Sequence, residues 1–157
     1  MQTINVQYNN PDLPKLEKIE VGDWIDVYVD RIKMTSGPLE GNTYLGLMHI
    51  SAGESFKIYL GFCLELPEGF EAHLVPRGST FGKKGIIQTN NIGIIDNSFA
   101  GPEDEWWVPV YALRDCKIDF GDKLFQFRIC DKQPPLKFNS VKKLTKKNRG
   151  SDGSTDI

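Results

Sequence analysis

The chain has 157 residues, 39% hydrophobic and 25% charged, with a formal net charge of −2. That length supports one domain with a real core rather than two ordinary ones, and the slightly acidic balance argues against nucleic acid as a bulk electrostatic partner. No stretch approaches the roughly 18 apolar residues of a membrane span, and the opening MQTINVQYNNPDLPK lacks the basic-then-apolar pattern of a secretion signal, so no membrane association is expected.

In chain order, short strand signals dominate. TINVQY (3–8) and WIDVYV (24–29) alternate, and SFKIYLGFCLEL (55–66) has the β-branched and aromatic content of a strand or strand pair. GFEAHLV (69–75), GIIQT (85–89), IGIID (92–96), WWVPVYAL (106–113), DKLFQFRI (122–129) and LKFNSV (136–141) complete the set. Turn chemistry separates them at LPEG, TNN, FGD and KQPP. No window shows a sustained helical stripe. The Gly/Pro/Ser-rich segment RIKMTSGPLEGNTYLG (31–46) is expected to be a surface loop or an extra hairpin. Many short strands with regular turns indicate an all-β sandwich, jelly roll or barrel. Cys63, Cys116 and Cys130 lie in apolar surroundings without CxxC or Cys/His spacing. They read as reduced core thiols of a cytoplasmic protein rather than zinc ligands or disulfides.

Chemistry concentrates around TNNIGIIDNSFAG (89–101). An Asn-rich turn is followed by an apolar run that delivers Asp96, then Phe99 and Gly101. GIIQTNNIGIID reads as two apolar arms around a hairpin turn, whose tip and Asn90 amide could pair with a base edge. Upstream, PRGSTFG (76–82) combines the five-donor fork of Arg77 with small residues whose backbone N–H groups can approach an anion; a plain turn is the alternative. Gln126 is a polar residue inside an apolar strand, either a core bridge or a ligand contact. The C-terminal NRGSDGSTDI repeats the Arg-Gly-Ser theme after the basic run KKLTKKNR (142–149). By composition this end is a solvated tail; together the two Arg-Gly-Ser segments suggest two halves of a phosphate clamp. His49 and His73 read as structural, and Trp106 and Trp107 as core and subunit-contact residues rather than ligand platforms.

GDWID, LPEGFEAH, PR followed by ST, GIIQTN, GIID, ALRD and FRI occur here in one order. In that order and spacing the chain resembles the trimeric dUTP pyrophosphatase (dUTPase) family over nearly its whole length, most closely its bacterial and phage branch. The resemblance implies a distorted β jelly-roll barrel that assembles as a homotrimer with active sites shared between subunits. Residues 1–144 would form the β domain, with 31–46 inserted, and 145–157 a flexible arm closing on nucleotide. The implied reaction is hydrolysis of dUTP to dUMP and pyrophosphate by water attack on the α-phosphorus, with Mg²⁺ held mainly by the triphosphate rather than by protein ligands.

By the same resemblance Asp96 is the general base that orients the attacking water. Asn90, with Gly93, Ile94 and Ile95 of the hairpin, reads uracil, and Phe99 packs on the deoxyribose. Arg77, Gly78 and Ser79 form the phosphate-binding motif, Gln126 lies in the fourth motif, and Asp26 has a supporting role. Arg149, Ser154 and Thr155 match the arm. Gly78 stands where relatives usually carry Ser, Phe99 where they carry Tyr, and Asp152 in the slot that usually caps the base. These departures motivate an alternative: a dUTPase-fold protein with weak or no hydrolysis that acts as a nucleotide-responsive regulatory partner of another protein, with 31–46 as contact surface. The related dCTP deaminases need a glutamate in a TLELxN-like stretch that EDEWWVPVYALRD does not supply.

Overall fold

The computed structural model describes residues 1–150. In chain order these residues form β1 (Asn5–Tyr8), β2 (Ile25–Val27), β3 (Arg31–Met34), β4 (Thr43–Leu45), β5 (Met48–Ile50), β6 (Ser55–Tyr59), β7 (Phe62–Glu65) and β8 (Phe70–Pro76). A five-residue helix, α1 (Thr80–Lys84), precedes β9 (Ile86–Gln88), β10 (Gly93–Ile95), β11 (Trp107–Ala112), β12 (Cys116–Ile118) and β13 (Phe125–Asp131). The main sheets are a five-stranded one in the order β4-β3-β6-β11-β9 and a four-stranded one in the order β10-β8-β13-β2, with two-stranded ribbons β1-β7 and β12-β5. The paired strands run antiparallel, and sequence neighbours commonly sit in different sheets, as a jelly roll requires.

Period-2 alternation supplies the core. Phe56 and Ile58 of β6, Val108, Val110 and Ala112 of β11, and Ile32 and Met34 of β3 turn inward while their neighbours face out. From the other sheet come Leu74, Phe125 and Phe127, in the same buried cluster. Trp106 sits fully buried among them, its ring 5.1 Å from Phe62 and 5.0 Å from Phe127. Each such ring contributes about 1.5–3 kcal/mol by burial. Gly61, between β6 and β7, has φ +71°, and a Cβ there would lie 2.2 Å from Leu13 Cδ1. Any other residue would strain the reversal at this point.

The folded chain decides two open alternatives and changes other expectations. Residues 31–46 form a true hairpin, with β3 and β4 paired from Arg31–Leu45 to Lys33–Thr43. The 55–66 run is two strands that pair with different partners, β6 with β3 and β11 and β7 with β1. GIIQTNNIGIID is not a paired hairpin: β9 joins β11 and β10 joins β8, so its two arms enter different sheets. The helix α1 is an addition to the strands expected from sequence. It ends at the left-handed Gly85, whose N–H donates to the Phe81 carbonyl at 2.7 Å, and Arg114 Nη2 donates to the carbonyls of Phe81 and Gly82 at 2.8 and 2.9 Å. LKFNSV is not a strand; Leu136, Phe138 and Val141 are exposed, and among the described residues no strand pairs with the segment.

Candidate active site

Asp96 follows β10 directly, at the mouth of a cavity of about 360 Å³ lined by Asn90, Gly93, Ile94, Ile95, Asp96, Ser98, Phe99 and Trp107. Backbone pairing explains the convergence. Ladder bonds hold β10 on β8, and the 89–92 turn is tightened by Asn91 N–H to Gln88 O (3.3 Å) and Ile92 N–H to Asn90 O (2.6 Å). Asn91 adopts φ +58°, a left-handed conformation that Asn tolerates. The reversal sets Asn90 on the same side as the β10 backbone.

Asp96 is also a turn residue. Its Oδ1 accepts the Ser98 N–H at 2.8 Å and its carbonyl accepts the Phe99 N–H at 3.0 Å, an Asx turn that brings Phe99 back over the cavity. The Ser98 backbone bond, then the Ser98 side chain and the charge of Lys132, hold the exposed Asp96 carboxyl below the ordinary aspartate range. It is therefore an acceptor-only anion at neutral pH.

Trp107 completes the wall. Alternation along β11 buries Trp106 and turns Trp107 outward, so one of the two tryptophans is core and the other lines the cavity. Reading both as packing residues missed this, although the period-2 pattern of WWVPVYA contains it. Lys57 Nζ lies 4.1 Å from the Trp107 ring centroid, a cation–π contact that restrains the indole.

The second group of candidates is elsewhere. Arg77, Gly78, Phe81, Ile87, Gln88 and Asn91 help line a separate cavity of about 320 Å³. Arg77 is aimed by Asp26, whose Oδ1 is 2.9 Å from the guanidinium Nε, with Lys123 Nζ 3.3 Å from Oδ2. Register explains this: β13 pairs Gln126 with Asp26 on one side and with Val75 on the other, and Arg77 directly follows β8. Gln126 is half-buried, with Nε2 3.4 Å from Pro76 O. Ser79 is exposed at the N-cap of α1, but its hydroxyl makes no capping bond. A Cβ placed on Gly78 would meet no atom within 4 Å, and the φ of this glycine is outside the left-handed range. The Asp96 cavity thus has no Lys or Arg in its lining, and Arg77 and Gly78 line a separate cavity of the same chain. Arg149 is exposed; Ser154, Thr155 and Asp152 lie outside the described residues.

Elsewhere, His73 Nε2 meets Glu71 at 3.0 Å, a local surface pair. The three cysteines are free thiols, and burial pushes Cys63 and Cys116 above their ordinary range. Among the described residues no helix is long and apolar enough to cross a membrane.

No protein-family model matches the chain. It is 40% identical over 152 residues to the SPbeta prophage-derived deoxyuridine 5′-triphosphate nucleotidohydrolase YosS of Bacillus subtilis, covering 97% of this chain and 96% of that protein. The deoxyuridine 5′-triphosphate nucleotidohydrolase of Neorickettsia sennetsu is 31% identical over 111 residues, covering 70% of this chain and 74% of its own. In fold, the dUTPase of Staphylococcus bacteriophage 80alpha, solved as its G164S mutant with dUpNHpp, superposes with a TM-score of 0.73 at 15% identity over 100% of both chains. The Streptococcus mutans dUTPase gives a TM-score of 0.64 at 15% identity, over 84% of this chain and 98% of its own. The jelly-roll architecture and the sequence relatives agree: this chain belongs to the deoxyuridine 5′-triphosphate nucleotidohydrolase (dUTPase) family.

Proposed function

We propose that the protein hydrolyses dUTP to dUMP and pyrophosphate, with Asp96 as the general base that aligns water on the α-phosphorus. The observation that carries this is the cavity in which Asp96 shares a wall with Asn90, the β10 backbone and Phe99. An ionised, fixed carboxylate beside two ring-lined walls suits a nucleoside bound with its α-phosphate near Asp96. Asn90, Gly93, Ile94 and Ile95 face the uracil in this reading. Phe99 packs on the deoxyribose, where a ring leaves no space for a 2′-hydroxyl.

A triphosphate needs cations, and that cavity has none in its lining. Arg77, Gly78, Ser79 and Gln126 of a second copy supply the phosphate site, with Asp26 holding Arg77, in the homotrimer with shared sites that the family resemblance implies. Residues 1–144 act as the nucleotide-binding domain, and 145–157, including Arg149, Ser154 and Thr155, as the closing arm. No group of three or more His, Cys, Asp or Glu suited to a metal occurs among the described residues. A single carboxylate, Asp96, in the cavity suits Mg²⁺ bound chiefly through phosphate oxygens. Charge neutralisation on the phosphates is the chemistry Mg²⁺ supplies when bound. The setting is cytoplasmic, in a bacterial cell or a phage-infected host.

Hydrolysis of dUTP with Mg²⁺, with dCTP and dTTP as controls, tests the activity. Asp96→Asn should lower turnover by roughly 10²–10⁴. Mixing Asp96→Asn with Arg77→Ala subunits tests the sharing: each alone should be nearly inactive, and re-assembled mixtures should regain activity. Mixtures as inactive as their parents would refute shared sites.

The alternative, a nucleotide-responsive regulatory partner with little hydrolysis, draws on the β3–β4 hairpin, whose flank exposes Leu45 and Leu47. Phage dUTPases of the 80alpha type are described as controlling transfer of virulence genes by a G protein-like mechanism. Tight dUTP binding without turnover would favour that reading.

A further inference from the structure

Gln88 is a buried polar residue at the end of β9, only 5% exposed. Its Nε2 makes two hydrogen bonds, to the backbone carbonyl of Leu74 at 3.0 Å and to Asn90 Oδ1 at 2.8 Å. Its Oε1 is buried and has no hydrogen-bond partner among the described residues. Amide orientations are ambiguous when both neighbours can donate and accept, but a backbone carbonyl only accepts. The Leu74 carbonyl therefore requires the NH₂ end of Gln88 to face it. The second hydrogen of that NH₂ then requires an acceptor at Asn90, so Oδ1 of Asn90 faces Gln88 and its Nδ2 faces away.

Among the described residues no protein acceptor takes the Asn90 Nδ2 hydrogens, and Asn90 lines the Asp96 cavity. The strand above leaves room for this relay. Gly93 carries no side chain where a Cβ would lie 3.2 Å from Leu74 Cβ and 3.5 Å from Gln88 Nε2. Any larger residue would press on the Leu74–Gln88 contact.

We propose that Gln88 is a positioning residue for base selection: it locks the Asn90 amide with its NH₂ toward the ligand. The inference rests on Asn90 facing the base, as proposed above, and adds what sets its polarity. A presented NH₂ donates to the C4 carbonyl oxygen of uracil. Facing cytosine, it opposes the C4 amino group, donor against donor, and the bound base leaves a desolvated polar group unpaired. Without Gln88 the Asn90 amide is free to turn over and present its oxygen, which accepts from cytosine equally well. Sequence reading singled out Gln126 as the polar residue in an apolar strand; Gln88 in GIIQT has the same signature.

The test compares wild type, N90A, Q88M and the double variant, measuring dUMP and dCMP binding by calorimetry together with thermal midpoints. Met keeps the length of the side chain and removes both donors and the unpaired Oε1. N90A should lose most of the preference for dUMP over dCMP. Q88M should lose it by about tenfold or more, partly through tighter dCMP binding, while remaining folded. The double variant should be no less selective than N90A, because Gln88 acts through Asn90. If N90A keeps the wild-type preference, the reading of Asn90 fails and the inference falls with it. If N90A loses the preference and Q88M retains it, Gln88 is only a strut between β9 and β8 and the inference is overturned. Should Q88M not fold, side-chain amide NMR of the wild type decides. The Asn90 NH₂ resonances should shift on adding dUMP while the Gln88 NH₂ stays protected from exchange; unmoved Asn90 resonances with dUMP bound would overturn the proposal.

Discussion

Replacing Arg31 by Met should destabilise the protein by about 3 kcal/mol, the low end of the roughly 3–5 kcal/mol expected when one partner of a buried ion pair is removed. Arg31 Nη1 lies 2.9 Å from Asp30 Oδ2 and 2.8 Å from Glu105 Oε2, and those side chains are only 5% and 10% exposed. Burial pulls the guanidinium pKa down, but hydrogen bonds to Glu105 and Asp30 and their charges more than offset it, leaving it raised. Met leaves two buried carboxylates facing each other without a cation. The low end applies because each keeps one amide donor, Asn10 to Asp30 and Asn9 to Glu105, at 2.8 and 2.7 Å. With a urea slope of about 2 kcal/mol per molar, the unfolding midpoint should drop by roughly 1.5 M. Adding Asp30→Asn and Glu105→Gln should restore most of the loss, since no charge is then stranded. The effect should also reach the cavity: Arg31 stacks on Tyr59, 4.3 Å from its ring centroid, and Tyr59 pairs across the ladder with Trp107. A loss below about 1 kcal/mol, the range of surface pairs, would refute the reasoning and mean that water reaches the cluster.

Three further outcomes are expected. Gly61→Ala should cost at least about 1–2 kcal/mol for the left-handed backbone alone, plus the overlap with Leu13, read as a lower thermal midpoint. The Asp96 carboxyl should titrate below the ordinary aspartate value near about 4, and Ser98→Pro, which removes the N–H donor, should move the NMR midpoint upward. Because that folded-state pKa is depressed, the stability it confers is fully present above the unfolded value and is lost only as pH falls through the folded one. No change in stability between about pH 5 and 8 should therefore trace to Asp96. Gly78→Ser should leave stability within about 0.5 kcal/mol, because a Cβ there meets nothing within 4 Å. If a hydroxyl in that slot contacts phosphate, the variant should show a higher kcat for dUTP; an unchanged rate would mean that the exposed Ser79 already serves, since the buried Thr80 hydroxyl is committed to the Leu124 carbonyl.

Local chemistry was legible wherever it depends on neighbours in the chain. Alternation in TINVQY and WIDVYV, and the β-branched and aromatic content of SFKIYLGFCLEL, marked strands, because a strand with one buried face alternates and favours such residues. The order of GIIQTN, GIID and FRI identified the family and put Asp96, Asn90 and Phe99 in one cavity. What the tertiary structure alone decided is which strands meet. Nothing local in GIIQTNNIGIID says that its arms leave for different sheets, since both have the same apolar, β-branched pattern. The partition followed from which partners, β11 and β8, could bury each arm. The same long-range pairing separated Arg77 from Asp96, set Asp26 beside Arg77, brought the outward face of Trp107, which alternation gives, onto the cavity, and aimed Gln88 at Asn90. Hydrogen-bond direction and the side of a sheet are properties of contacts between residues distant in sequence, and only folding brings those residues together.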